Sequence, residues 1–353
     1  MIKRRVCFAM AVIFSLTAML SACSGSAGSS GNASGNTAAA SSEAQQASGD
    51  NKIVIKLGHT GNEKQKYHDA SLKFKELVEE RSNGKFQVDV YPKTLGGDRE
   101  LMEALQIGTA DFAEINTAVL ATVSPSLGVL DLPYIFVNRE HAYRVLDGEI
   151  GQKLLDETSQ KSGLIGLDYW ENGFRCFTNN VRPIKEPADL KDITMRAMQN
   201  NIHLETFKLW GANPTPMEFS EMVTAMQQGV IEGHDNAPDT IAANSMWEYQ
   251  SYFSESSHFY AAIMFAASPV FWNSLSEDEK TMFKEISQEV RDFERQLALE
   301  QFNEGIDTLE KNGMNVTRND EVDVDAFKES VRPIWDKYAE TLGADLIDSI
   351  ANN

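Results

Sequence analysis

Short strand-like runs alternate with helix-like segments along this chain, and glycines close most of them. Ile53-Val54-Ile55-Lys56-Leu57 reads as a strand stopped by Gly58. Tyr67, Ala70, Phe74, Leu77 and Val78 then recur at helical spacing until Asn83-Gly84. Phe86, Val88 and Val90 alternate as a half-buried strand; residues 101–107 return to helix and stop at Gly108; residues 111–115 form another short strand. Strands separated by helices need crossover connections, which predicts βαβ units and a largely parallel sheet in an α/β fold. Polar residues at the carboxyl ends of such strands face the crevice where open sheets hold ligands.

The pattern restarts further on. Residues 164–170 make an apolar run that Glu171-Asn172-Gly173 interrupts and residues 174–178 resume, as a bulge or as a chain passing between domains. After Arg182-Pro183-Ile184 come a strand over 193–198, a helix over 201–210, a turn at Gly211 and a helix over 218–228. A short strand, a helix over 240–247 and a strand over 258–265 complete this second unit. Ser276-Glu277-Asp278-Glu279 is a capping box opening a helix that runs to about Lys311, with Met282, Phe283, Ile286, Val290 and Phe293 on one stripe. Such a helix is roughly 50 Å long, which predicts that it crosses two domains or kinks. A short edge strand over 315–317 is expected after it. A body of about 300 residues also exceeds what one core usually supports. We expect one domain from residues 52–172 plus 262–300, and a second from 173–261 plus 301–353.

The first fifty residues read differently. Lys3, Arg4 and Arg5 precede an apolar run from Val6 to Leu20 and the small residues Ser21-Ala22, which predicts a secretory signal over residues 1–22. The run is too short to span a bilayer as a helix. Leu20-Ser21-Ala22-Cys23 looks like a bacterial lipobox, implying a lipid on Cys23 and an extracytoplasmic, membrane-anchored protein. Ser24 to Gly49 holds Ser, Gly, Ala, Asn, Thr and Gln with a single Glu, the composition of a disordered tether. With Cys7 lost and Cys23 lipidated, Cys176 stands alone and no intrachain disulfide forms. The formal charge of −20 offers no basic surface for nucleic acid, so an anionic ligand must be met by local cations.

No His-Glu-x-x-His run, phosphate loop, nucleophile elbow or zinc-like cluster occurs, so neither a metal nor a cofactor is expected and binding is favoured over catalysis. Arg196 ends the apolar run 193–195 and Arg175 follows Gly173-Phe174 at the suspected crossover; a guanidinium fork at a strand end fits a carboxylate, but by spacing alone an ion pair with one of the 52 acids is favoured. Asn236, before Ala237-Pro238, and Asn200 each either cap a helix or present an amide to a ligand. His59 and Thr60 stand at the first strand end, Glu114 and Asn116 at the third, as ligand contacts or as turn formers. Trp170 and Phe219 are ligand walls or core residues.

Several blocks together resemble the solute receptors of tripartite ATP-independent periplasmic (TRAP) transporters of the dicarboxylate- and sugar-acid-binding type. They are LGHT, LMEALQIGTADFAEINTAVL, LDLPYIF, YWENGFRCFTNNVRPI, DLKDITMRAM and GANPTPMEFSEMVTAMQQGVIEGHDNAP. The resemblance implies a two-lobed periplasmic-binding-protein-like fold with hinge strands, a helix spanning both lobes and a cleft that closes on ligand. It puts Arg196 on the arginine that pairs with the ligand carboxylate, Arg175 on a second cleft arginine, Asn236 on the Asn or Gln of the Gly-x-x-Asn block, and Phe219 on an aromatic that packs against the ligand. Glu114 and His59 fall on first-domain positions that vary with substrate. Met198, Asn200 and His203 match the pattern of the sugar-acid subgroup. The implied partners are a small organic acid and the membrane permease subunits. An ABC-type or sensor-linked receptor would use the same cleft, and an exported α/β enzyme is the more distant alternative.

Overall fold

Two long antiparallel strands organise the molecule. The computed structural model describes residues 52–353, so the expected signal peptide, the lipidated Cys23 and the tether lie outside the described residues. Nine strands form one sheet: β1 (Ile53–His59), β2 (Phe86–Pro92), β3 (Phe112–Asn116), β4 (Ile165–Asn179), β5 (Thr194–Ala197), β6 (Asn213–Pro216), β7 (Gly233–Asn236), β8 (Tyr252–Ala267) and β9 (Asn315–Thr317). Their order is β2-β1-β3-β8-β4-β7-β5-β6, with β9 beside β8. β1 pairs in parallel with β2 and β3, and β5 in parallel with β6 and β7, as crossover helices require. β4 and β8 pair with each other from Ile165–Ala267 to Asn179–Tyr252. The first half of the sheet attaches to one end of this ribbon through β3, and the second half to the other end through β7.

The polar step at residues 171–173 is therefore a bulge. β4 runs unbroken through it, and the register against β8 shifts between Glu171 and Gly173. Gly173 takes a φ of +110°, a backbone conformation that side chains disfavour, which explains a glycine at this point. The turn expected at Gly211 is followed by β6, whose Asn-Pro-Thr-Pro sequence hides a strand; it is the outermost strand, where missing N–H donors cost no ladder bond. The segment expected as a helix over 240–247 is a helix over Pro238–Ala243 followed by a 3-10 turn over Met246–Glu248.

One aromatic core lies between β1, β3, β8 and the helix Lys66–Arg81, where Phe74 and Phe112 touch each other and each touches Phe265 and Phe283. A second gathers Phe177, Phe207, Trp210 and Phe327 around β4 and β5. The capping-box helix runs over Glu277–Lys311 as expected and packs against the helix Lys66–Arg81, β4 and the helix Pro238–Ala243. Gly305 lets it approach the Pro238–Asp239 backbone, since a Cβ there would lie 2.6 Å from the Asp239 nitrogen. Phe293, placed on the buried stripe by spacing, is 38% exposed. The buried face has rotated by one residue, because Glu294 turns inward to accept the Glu171 N–H at 2.9 Å. Among the described residues, no helix is long and apolar enough to cross a membrane.

Candidate ligand-binding cleft

The carboxyl ends of β1, β3, β5 and β7 converge, and the middle of β4 passes beside them. A small hollow of about 40 Å³ opens between these ends. Arg196, Arg175, Asn236, Met198 and Phe219 line it from the second half of the sheet, and Asn116 lines it from the first. Local chemistry fixes several of them. Asn116 caps the short helix that follows β3, accepting the Ala118 N–H at 3.0 Å. Asn236 accepts from the Ala237 N–H, from Asn172 Nδ2 and from Arg175 Nη1, at 2.9, 3.1 and 3.3 Å.

The two arginines differ in their partners. Arg175 is bound by Asp235: Nε donates to Oδ2 at 2.5 Å, and Nη2 to Oδ1 at 3.0 Å. Burial alone would raise the Asp235 carboxyl, but Arg175 and then His258 beside it hold it well below the usual range. Arg196 is 4% exposed and donates Nε to the Met217 carbonyl at 2.9 Å. Its terminal nitrogens make no hydrogen bond to any described residue. Burial and the neighbouring Arg175 charge pull its pKa down to about 10, so it stays a cation at neutral pH.

A carboxyl also faces this hollow. Asp98 opens the helix Asp98–Ile107, and its Oδ1 accepts the Asn116 N–H at 2.7 Å. Burial, with help from Glu218, pushes its pKa up to about 6, against the pull of the Asn116 N–H and Arg196. Gln65, Tyr67, Asn172, Thr60 and Thr240 add amide and hydroxyl groups, and Ile263 adds an apolar patch. Beneath them Lys66 pairs with Asp239, and the Tyr67 hydroxyl donates to Asn172 Oδ1 at 2.5 Å.

Sequence comparison places this arrangement. The profile of "Bacterial extracellular solute-binding protein, family 7" matches residues 57–341. The chain belongs to that family. Among its relatives is the C4-dicarboxylate-binding protein DctB of Bacillus subtilis, 31% identical over 298 residues that cover 84% of this chain and 85% of DctB. A TRAP periplasmic solute-binding protein of Polaromonas sp. JS666, solved with D-erythronate, superposes with a TM-score of 0.82 at 34% identity, covering 85% of this chain and 98% of that one. The sugar-acid-binding protein DctPAm of Advenella mimigardefordensis, solved with galactonate, gives 0.82 at 32% identity over 85% and 97%. The fold is thus the two-lobed α/β fold of TRAP solute receptors, which act outside the cytoplasm.

Within this receptor, four residues expected at the ligand stand behind the hollow instead. Trp170 stacks on Phe265 at 4.5 Å in the first core. Glu114 accepts from the Ser71 hydroxyl at 2.8 Å, and burial, with Glu294 nearby, pushes its pKa well above the usual carboxylate range. His59 Nε2 shares a hydrogen bond with His68 Nδ1 at 3.2 Å, and burial, then the His68 charge, lower its pKa to about 3. Asn200 caps the helix Asn201–Leu209 and donates to the Ala118 carbonyl and to Asp131, which His203 also contacts. Conversely, Asp98, Tyr67, Gln65, Asn172, Thr240 and Ile263 line the hollow without having been singled out. Tyr67 reads as one member of a core stripe, and Asn172 as part of a bulge. Asp98 carried the one usable signal, an acid opening a helix directly after Gly96-Gly97.

Proposed function

We propose that this protein captures a small organic acid outside the cytoplasm and delivers it to a TRAP membrane permease. Its relatives bind a C4-dicarboxylate, D-erythronate and galactonate, and every one of these ligands bears a carboxylate. The observation that carries the reading is Arg196: a buried guanidinium whose terminal nitrogens meet no protein acceptor among the described residues, on the wall of a hollow at the strand ends. A ligand carboxylate satisfies those donors bidentately, and the amide and hydroxyl groups around it take the rest of the molecule.

In this reading the lobes comprise residues 52–172 plus 262–300 and residues 173–261 plus 301–353, and they close by a hinge motion on the ligand. The closed form is the one the permease engages, by population shift. Residues 1–22 direct export, Cys23 carries a lipid, and the following tether keeps the body near the membrane. Isothermal titration against a panel of aldonates, uronates and dicarboxylates tests the pairing. Arg196→Ala should weaken the best ligand roughly 30-fold or more, since truncating one partner of a buried charge pair typically costs about 2–5 kcal/mol. An affinity unchanged by the substitution overturns the role of Arg196.

A further inference from the structure

The charges on the hollow do not favour all organic acids equally. Arg175 is already neutralised by Asp235, so it contributes hydrogen-bond donors but no free charge. Among the described residues that line the hollow, this leaves one unpaired cation, Arg196, and one carboxyl, Asp98. The Asn116 N–H pins Asp98 Oδ1 at 2.7 Å, while Oδ2 has no protein hydrogen bond among the described residues. The remaining polar groups, Asn116, Asn172, Asn236 and Thr240 among them, are neutral.

We propose that Asp98 makes this receptor select a polyhydroxy monocarboxylate over a dicarboxylate. This rests on the reading that Arg196 takes the ligand's carboxylate. With the single cation engaged, the rest of the ligand meets neutral amides and the Asp98 carboxylate on the same hollow. A ligand hydroxyl donates to Asp98 Oδ2 and gains a charge-assisted hydrogen bond. A second carboxylate in the same place has no cation to neutralise it and stands against a like charge in a confined, partly dehydrated space. Specificity then comes from a repulsive element as well as an attractive one.

The test is isothermal titration of the full chain at pH 7.5 with D-erythronate, galactonate, succinate and malate, for the wild type and for Asp98→Asn. The substitution keeps an oxygen to accept the Asn116 N–H and removes the charge. The wild type should bind at least one aldonate about tenfold or more tightly than either dicarboxylate, and Asp98→Asn should shrink that ratio about tenfold. Wild-type binding of a dicarboxylate as tight as that of the aldonates overturns the inference alone and leaves the Arg196 reading standing. A ratio unchanged by Asp98→Asn does the same. If folded wild-type protein binds neither these four acids nor any uronate of the wider panel, the Arg196 reading fails and this inference fails with it.

Discussion

At the scale of residues, two guanidinium groups of the same type have opposite circumstances. Arg175 is locked to Asp235 within β4 and β7, whereas Arg196 keeps its terminal donors free. Removing the anion of the locked pair strands a buried cation, so Asp235→Ala should destabilise the fold by about 3–5 kcal/mol in urea titration at pH 7. The sign of its pH dependence follows from the lowered Asp235 pKa. The stability it contributes is complete above the unfolded value near 4 and is lost as pH falls through the lower folded value. The gap between variant and wild type should therefore narrow only in strong acid. Spacing could place Arg196 at a strand end and Arg175 just after the polar step in a long run, but could not assign the ion pair to one of them. That assignment depends on Asp235 lying opposite Phe177 across the β4–β7 ladder, a register invisible in one sequence. Asp98 was harder still, one acid among 52.

At the scale of elements, periodicity recovered what short-range chemistry controls. The helix Glu277–Lys311 was legible because its capping box is local: Ser276 Oγ accepts the Glu279 N–H, and Glu279 accepts the Ser276 N–H. β6 was illegible because two prolines mark a turn unless the strand is known to be at an edge. The inward rotation that exposes Phe293 was equally hidden, since it answers an unpaired N–H in a β4 bulge more than a hundred residues away. That rotation buries Glu294, whose pKa burial raises to about 8, with Lys66 opposing and Glu171 adding to the shift. A carboxyl with a raised folded value penalises the native state increasingly as pH climbs from the unfolded value near 4.5 towards 8. Glu294→Gln, which keeps the acceptor for Glu171, should raise Tm by roughly 2 °C or more at pH 8 and leave it near wild type at pH 5. Parallel melting curves at the two values would check this, and an equal gain at both would count against ionisation as the cause.

At the scale of the whole molecule, the α/β class was readable, because βαβ repetition is a sequence property. The merging of both halves into one sheet was not, because it depends on β4 and β8 pairing along their whole lengths. Hydrogen bonds between the first and second halves of the chain bear on the proposed closure. Asn62 Nδ2 donates to the Ala243 carbonyl and Asn244 Oδ1 at 3.0 and 3.1 Å, and Lys93 Nζ donates to the same Oδ1 at 3.0 Å. None of these three side chains lines the hollow. Asn244→Ala should therefore speed ligand release roughly threefold to tenfold while leaving the association rate nearly unchanged, as stopped-flow fluorescence would show. A release rate equal to that of the wild type would remove this contact from the closure mechanism.

Because β4 and β8 are inherited by both halves, a spring rather than a pin joins them. Any gaping has to twist a continuous ribbon, and a twisted ribbon pulls back towards its resting shape. In the proposed closing motion, a captured guest therefore escapes no faster than that ribbon can flex.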